Sequence, residues 1–178
     1  MHRDAGAPQP AAGLSASGGP RLRTECELDH AFVFGLFAET RAPGFAHLPL
    51  EPAQRDALLR QQFSLQTAQY RHRFPAASFS IVEWDAAPIG RLYVDRSQSC
   101  MHVIDVALLQ AWRGHGIGSS LLGELLAEAS AAGRPVSLHV ERENPAQCLY
   151  QRLGFRVLRD EGVYLRMDWR PPPGEQAA

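Results

Sequence analysis

Gln110-Ala111-Trp112-Arg113-Gly114-His115-Gly116-Ile117-Gly118-Ser119-Ser120 is the most informative stretch of this 178-residue chain. Two different periodicities meet across it. Before it, Met101 to Leu109 (MHVIDVALL) is mostly apolar, as expected of a strand covered on both faces. After it, Ile117, Leu121, Leu125 and Ala129 fall on one stripe of a helix spanning Ile117 to Ala131, with Gly133 beyond its end. Glycines at 114, 116 and 118 allow a tight, partly positive-φ backbone that brings its N–H groups close to a ligand. The helix N-terminus that follows adds orphan donors and a positive dipole end, worth ~0.3–1 kcal/mol per favourable charge. Such a strand-loop-helix unit suits a pyrophosphate and requires no lysine. Arg113 either reinforces the positive charge or braces the loop.

On the N-terminal side, Ser78 to Trp84 alternates as a strand, Asp85-Ala86-Ala87-Pro88 turns, and Ile89 to Asp95 returns as the hairpin partner. Ser97-Gln98-Ser99 then turns into the apolar strand. Arg21 to Glu25 reads as a short first strand. Leu28 to Glu39 has apolar residues at helical spacing (Leu28, Phe32, Leu36, Phe37). A Pro/Gly break from Arg41 to Pro49 precedes a second helix, Glu51 to His72, with Pro52 in its first turn and Leu58, Leu59, Phe63, Leu65 and Tyr70 as apolar positions. On the C-terminal side, Pro135 to Val140 is a strand. Asn144 to Leu153 is a short helix with Asn144 as N-cap, Pro145 at the first position and Gly154 as its stop. Phe155 to Arg159 and Val163 to Trp169 are the last two strands. The order β-α-α-β-β-β-α-β-α-β-β, without internal repeat, predicts one mixed α/β layer structure. Its expected bounds are residues 21–170, with a disordered Ala/Gly/Pro/Ser-rich leader at 1–20 and a flexible Pro-led tail at 171–178.

Composition removes several classes of function. With 45% hydrophobic residues and this length, the chain can bury a core without disulfides or metal. A net charge of −1 argues against a general nucleic-acid binder. There is neither an apolar run of membrane-span length nor a signal-peptide core, so a soluble protein without membrane attachment is expected. All 18 basic residues are arginine, which excludes a P-loop lysine and a pyridoxal Schiff base. Cys26, Cys100 and Cys148 are far apart and form no CxxC pair, so no structural metal is expected and a reducing cytoplasm fits best. Cys148 is expected to be a small buried residue, and Trp84, Trp112 and Trp169 to be packing residues.

Two diphosphate ligands fit the loop. Gly114 and Gly116 could open a dinucleotide fingerprint, with Glu141, at the end of the next strand, as its ribose contact. Against this, Ser119 stands where the third glycine belongs, and Gln110 to Arg113 separate the strand from the motif. The second pattern is more specific. Arg113-x-x-Gly116-x-Gly118, followed by Asn144-Pro-Ala-x-x-Leu149-Tyr150-x-x-x-Gly154-Phe155, resembles the two central motifs of the GNAT N-acetyltransferase superfamily. The resemblance covers roughly residues 23–169, although the N-terminal half agrees only in element order. Gln110 departs from the family by standing where many relatives carry proline.

The resemblance implies a single GNAT-like domain: a central, mixed, mostly antiparallel sheet with helices on both faces and a splayed central strand pair. It implies acetyl-CoA as co-substrate, transfer to a primary amine of a small molecule or peptide by direct attack in a ternary complex, and a homodimer as a compatible assembly. The loop residues Arg113, Gly114, His115, Gly116, Ile117, Gly118 and Ser119 would hold the pyrophosphate. Backbone N–H groups near Ala107 and Leu108 would hold the acetyl carbonyl, Asn144 would contact pantetheine, and Tyr150 would protonate the departing thiolate.

The amine must also lose a proton, because fewer than about one in a thousand is neutral at pH 7 when its pKa is ~10. His102 and Asp105 are the candidate bases, and Glu83 on the neighbouring hairpin is a third. Strand parity puts His102 and Asp105 on opposite faces unless a bulge intervenes. A non-catalytic acyl-CoA-binding module, a nicotinamide-dinucleotide binder and a partner-dependent acetyltransferase remain alternatives.

Overall fold

Among the residues that the structure describes, the apolar spacing sets four helices against seven strands. The structure, a computed structural model, describes residues 18–45 and 49–172. It runs β1 (Arg21–Thr24), a 3-10 turn (Glu27–Asp29), α1 (His30–Phe45), α2 (Pro52–Arg73), β2 (Ser78–Trp84), β3 (Ala87–Asp95) and β4 (Met101–Leu108). A second 3-10 turn (Gln110–Trp112), α3 (Ile117–Ala131), β5 (Val136–Glu141), α4 (Gln147–Arg152), β6 (Arg156–Asp160) and β7 (Tyr164–Trp169) follow. The expected leader and tail lie outside the described residues except for 18–20 and 171–172, which are irregular.

The strands form one sheet in the order β1-β2-β3-β4-β5-β7-β6, antiparallel throughout except for β4 against β5. That mixed order excludes the all-parallel doubly wound sheet on which a dinucleotide fingerprint depends. One core cluster joins Leu36 of α1, the α3 stripe (Ile117, Leu121, Leu122, Leu125), Tyr150 and Phe155 to the sheet. A second joins Val33, Phe37, Leu59 and Phe63 of α1 and α2 to Ile81.

Three helix expectations need correction. Leu28 is 92% exposed, because the chain at that point is the 3-10 turn and the buried stripe of α1 begins at Val33. Leu65 is 64% exposed; α2 buries Leu59 and Phe63 instead. α1 also continues past the expected end at Glu39 to Phe45. The extra turn brings Arg41 within 2.7 Å of Glu141, a hundred residues away.

Two departures from regular pairing create the central feature. β4 pairs with β5 only through Met101, His102 and Val103, and the rest of β4 has no partner on that side. The splay expected of the central pair is thus present. On its other side β4 is bulged: Tyr93 opposes Asp105 while Val94 opposes Val103, which leaves Ile104 as the extra residue. The bulge reverses side-chain parity. Arg91, Tyr93 and Asp95 share one face of β3, so their partners Ala107, Asp105 and His102 share it too. His102 and Asp105 therefore lie on the same face of the sheet.

Candidate active site

The loop after β4 has the geometry its glycines require. Gly114 and Gly116 both adopt φ 79°, and Gly116 is the N-cap of α3. Gly118 meets no such demand: a Cβ there would lie 3.4 Å from Leu149 of α4, an ordinary contact. Ser120 is the first amide of α3 bonded within the helix, to the Gly116 carbonyl. Among the described residues, the amides of Gly114 to Ser119 have no protein acceptor, and Arg113 to Gly116 and Ser119 are exposed. Arg113 braces the loop: its Nε donates to the Leu108 carbonyl at 2.8 Å, and Glu39 of α1 receives both an Arg113 Nη2 contact at 3.5 Å and the Gln110 amide. His115 and Ile117 complete the turn, with Ile117 anchored in the core.

The register of β4 assigns its amides. Leu109 N–H donates to the Ile89 carbonyl of β3 at 2.9 Å, so by antiparallel alternation the Ala107 amide also faces β3. Before the bulge, the Met101 amide faces the β5 side and donates to the Pro135 carbonyl. Beyond Ile104 the phase has shifted, and the amides of Val106 and Leu108 face the gap that β5 has vacated. The expectation for Leu108 fits this geometry. The Ala107 amide does not, because it is engaged on β3, and Val106 takes its place.

Tyr150 of α4 is 7% exposed and packs edge-on to Phe155 at 5.9 Å. Its hydroxyl has no hydrogen-bond partner among the described residues, yet it is not among the sealed orphan atoms, so it opens into free space. Burial pushes its pKa up to about 12, and the Asp105 charge adds to the effect.

Asp105 is held by one oxygen. Its Oδ2 accepts Arg91 Nη2 at 2.7 Å and the Tyr70 hydroxyl at 3.3 Å. Among the described residues Oδ1 has no donor and is not sealed. Tyr70, an expected apolar position of α2, thus carries a polar contact as well; burial and the Asp105 charge raise its pKa.

His102 has other neighbours. Its Nδ1 lies 2.9 Å from the Ser137 hydroxyl, its ring stacks on Phe74 at 5.4 Å, and His139 meets it edge-on. Burial, with His139 and Arg73 nearby, drives its pKa down to about 4. It stands where β4 and β5 are still paired, is neutral at pH 7, and is a poor proton acceptor there. Glu83 is bound to Arg23 on the outer strands and has no part in the gap.

The second motif is partly redrawn. α4 starts at Gln147, after a tight turn in which the Asn144 carbonyl accepts Gln147 N–H and its Oδ1 accepts Ala146 N–H at 2.9 Å. Asn144 is exposed and caps this turn, not an α-helical first residue at 145. Cys148 is exposed, contrary to expectation, because the six-residue helix turns that side to solvent. Glu141 pairs with Arg41 and lies across from Tyr164. Arg91, Gln66, Glu39 and Arg41 were not singled out in the sequence; the signal for Arg91 was a lone charge within the apolar strand Ile89 to Val94.

Comparison with known proteins agrees with this frame. Residues 38–155 match the Acetyltransferase (GNAT) family. A 72-residue segment is 36% identical to the histone acetyltransferase MCC1 of Arabidopsis thaliana, covering 38% of this chain and 29% of that protein. The fold is similar to the PaiA N-acetyltransferase of Thermoplasma acidophilum, solved with coenzyme A (TM-score 0.65, 17% identity, 86% of this chain and 99% of that one). It is also similar to a histone acetyltransferase HPA2-related protein of Corynebacterium glutamicum (TM-score 0.61, 23% identity, 88% and 98%). With its glycine loop, splayed strand pair and element order on one sheet, the chain belongs to the GNAT acetyltransferase family and is an acyltransferase.

Proposed function

We propose that this acyltransferase moves an acetyl group from acetyl-CoA to a primary amine, of a small molecule or a peptide, by direct attack in a ternary complex. The observation that carries the reading is the β4–β5 gap. It has free amides at its phosphate end and along the β4 edge, Asp105 stands on the unpaired half of β4, and the Asp105 charge acts on the Tyr150 hydroxyl.

Acetyl-CoA supplies an activated acyl group as a thioester. The amides from Gly114 to Ser119 bind its pyrophosphate, with the α3 dipole behind them. The edge of β4 at Val106 and Leu108 receives the pantetheine arm as an added strand and donates to the acetyl oxygen as it becomes anionic. Asn144 lines the same arm. Asp105 Oδ1 takes the proton of the bound ammonium, and the freed lone pair forms the N–C bond. As the C–S bond breaks, Tyr150 gives its proton to the sulfur and recovers one from solvent, while the second amine proton leaves with water. Such proton transfers are typically worth 10²–10⁴-fold each.

The test is thermal unfolding with acetyl-CoA, CoA and NAD, each at about 1 mM, followed by acetylation of tyramine, putrescine and a lysine-containing peptide. A ligand at about 100 times its Kd stabilises by ~2.7 kcal/mol, so acetyl-CoA and CoA are expected to raise Tm by several degrees while NAD does not. Tyr150→Phe should keep the CoA shift and lose turnover by about 10²-fold. Since Tyr150 holds its proton up to about pH 12, the wild-type rate should not fall between pH 8 and 10 through loss of this acid. A shift with NAD alone would sink the proposal.

A further inference from the structure

We infer that Arg91 is the positioning residue of the acceptor-side carboxylate, its buried guanidinium holding Asp105 by Oδ2 so that Oδ1 stays free to take the proton of the amine. The inference rests on the reading of Asp105 as proton acceptor and adds the residue through which that carboxylate works.

Arg91 is 4% exposed on a strand whose other residues from Ile89 to Val94 are buried and uncharged. A cation there is poorly explained by stability. A buried ion pair seldom outperforms apolar side chains of equal volume, and this guanidinium leaves its own Nε without a partner. Burial works against its charge, and Asp105 is what outweighs that penalty. The donors are instead arranged around the carboxylate. Arg91 Nη2 reaches Asp105 Oδ2 at 2.7 Å, and the Gln66 amide oxygen of α2 steadies the same nitrogen at 3.3 Å. The Tyr93 ring lies 5.1 Å from the guanidinium carbon. Tyr70 brings a second donor to the same Oδ2 from α2. Two donors from two elements on one oxygen fix the carboxylate's rotation and leave the other oxygen free. The arrangement exists only because the Ile104 bulge turns Asp105 onto the face of Arg91. The titratable groups that face Asp105 are Tyr70 from α2, Arg91 and Tyr93 from β3, and Tyr150 from α4. Of these, only Arg91 is a cation.

The experiment compares wild type, Arg91→Met, Arg91→Lys, Tyr70→Phe and Asp105→Asn in the full chain. Carbon-13 carboxyl NMR, with the Asp105 resonance assigned by its loss in Asp105→Asn, reads the site without any acceptor. The Asp105 carboxyl resonance should move and broaden in Arg91→Met, since the carboxylate loses the donor that fixes its rotation. It should return most of the way in Arg91→Lys.

With whichever probe amine turns over, Arg91→Met should lose kcat by about 100-fold, the loss typical of a misplaced catalytic group, with KM for acetyl-CoA unchanged. Tyr70→Phe, which leaves the buried guanidinium in place, should move the same resonance by a smaller amount and keeps the test alive if Arg91→Met does not fold. An unchanged Asp105 resonance in the folded variants overturns the inference, as does a kcat loss that simply follows loss of Tm. Wild-type turnover by Asp105→Asn would instead overturn the underlying reading of Asp105.

Discussion

His102 and Tyr150 are both buried, and burial moves their pKa values in opposite directions because it disfavours whichever form is charged. For Tyr150 the neutral form is the acid, which suits proton donation. For His102 the neutral form is the base, but one too weak to be useful. His102 therefore acts on stability instead. Its folded pKa, about 4, lies below the unfolded value of ~6.5. The unfolded chain then binds more protons between those two values, and stability is complete above pH 6.5 and falls as the pH drops toward 4. After allowance for its partial exposure the contribution is of order 2 kcal/mol, or about 4–8 °C in Tm for a domain of this size. A His102→Phe/Ser137→Ala double variant removes the titrating ring and its buried partner together, so neither is left unsatisfied. Calorimetry at pH 6.5 and pH 4 should show wild type losing that much more Tm than the double variant. Equal losses would mean that the ring charges without penalty.

Three glycines separate three physical requirements at the level of elements. Gly90 of β3 faces Leu108, and a Cβ there would lie 2.4 Å from the Ala107 carbonyl oxygen and 2.6 Å from Leu108 Cδ2. Gly90→Ala must push β4 away from β3 at the residues that line the gap, a strain expected to cost about 1–3 kcal/mol. Gly116→Ala meets no atom but forces a side chain into the left-handed region, at about 1–2 kcal/mol. Gly118→Ala makes only an ordinary contact with Leu149 and gains helix propensity, so it should be neutral or stabilising by a few tenths of a kcal/mol. Denaturant unfolding checks this order, Gly90 and Gly116 costing and Gly118 not. A destabilising Gly118→Ala would show that α3 and α4 are packed too closely to admit a methyl group.

The elements themselves were legible because their periodicities differ, and the loop because its glycines have few other uses. The bulge was not. Nothing in MHVIDVALL marks Ile104 as the extra residue, since every residue there is compatible with a regular strand, and parity read from the sequence alone put His102 and Asp105 on opposite faces. The ion pair of Arg91 with Asp105 was hidden for the same reason: it depends on a register, not on a spacing.

Across the whole molecule, seven strands are held in one sheet by continuous ladders that are interrupted at its centre. The interruption divides β4 into two halves with different neighbours. His102 and Val103 are paired on both sides, while Val106 and Leu108 turn their amides to an open gap backed by α3 and α4. Hydrogen exchange follows such differences, because protection needs a bonded amide that opens rarely. In the free protein the amides of Val106, Leu108 and residues Gly114 to Ser119 should exchange quickly, although most of their neighbours in β3 and α3 are buried. The Met101 and Ala107 amides should be slow. Adding CoA should slow the first group selectively, first at Gly114 to Ser119 where the phosphates are held, and at Val106 and Leu108 where the pantetheine extends the sheet. Protection at the loop alone would limit the site to the pyrophosphate and remove the added-strand contact. Protection spread evenly over the sheet would mean that the gap closes as a global change rather than filling with ligand.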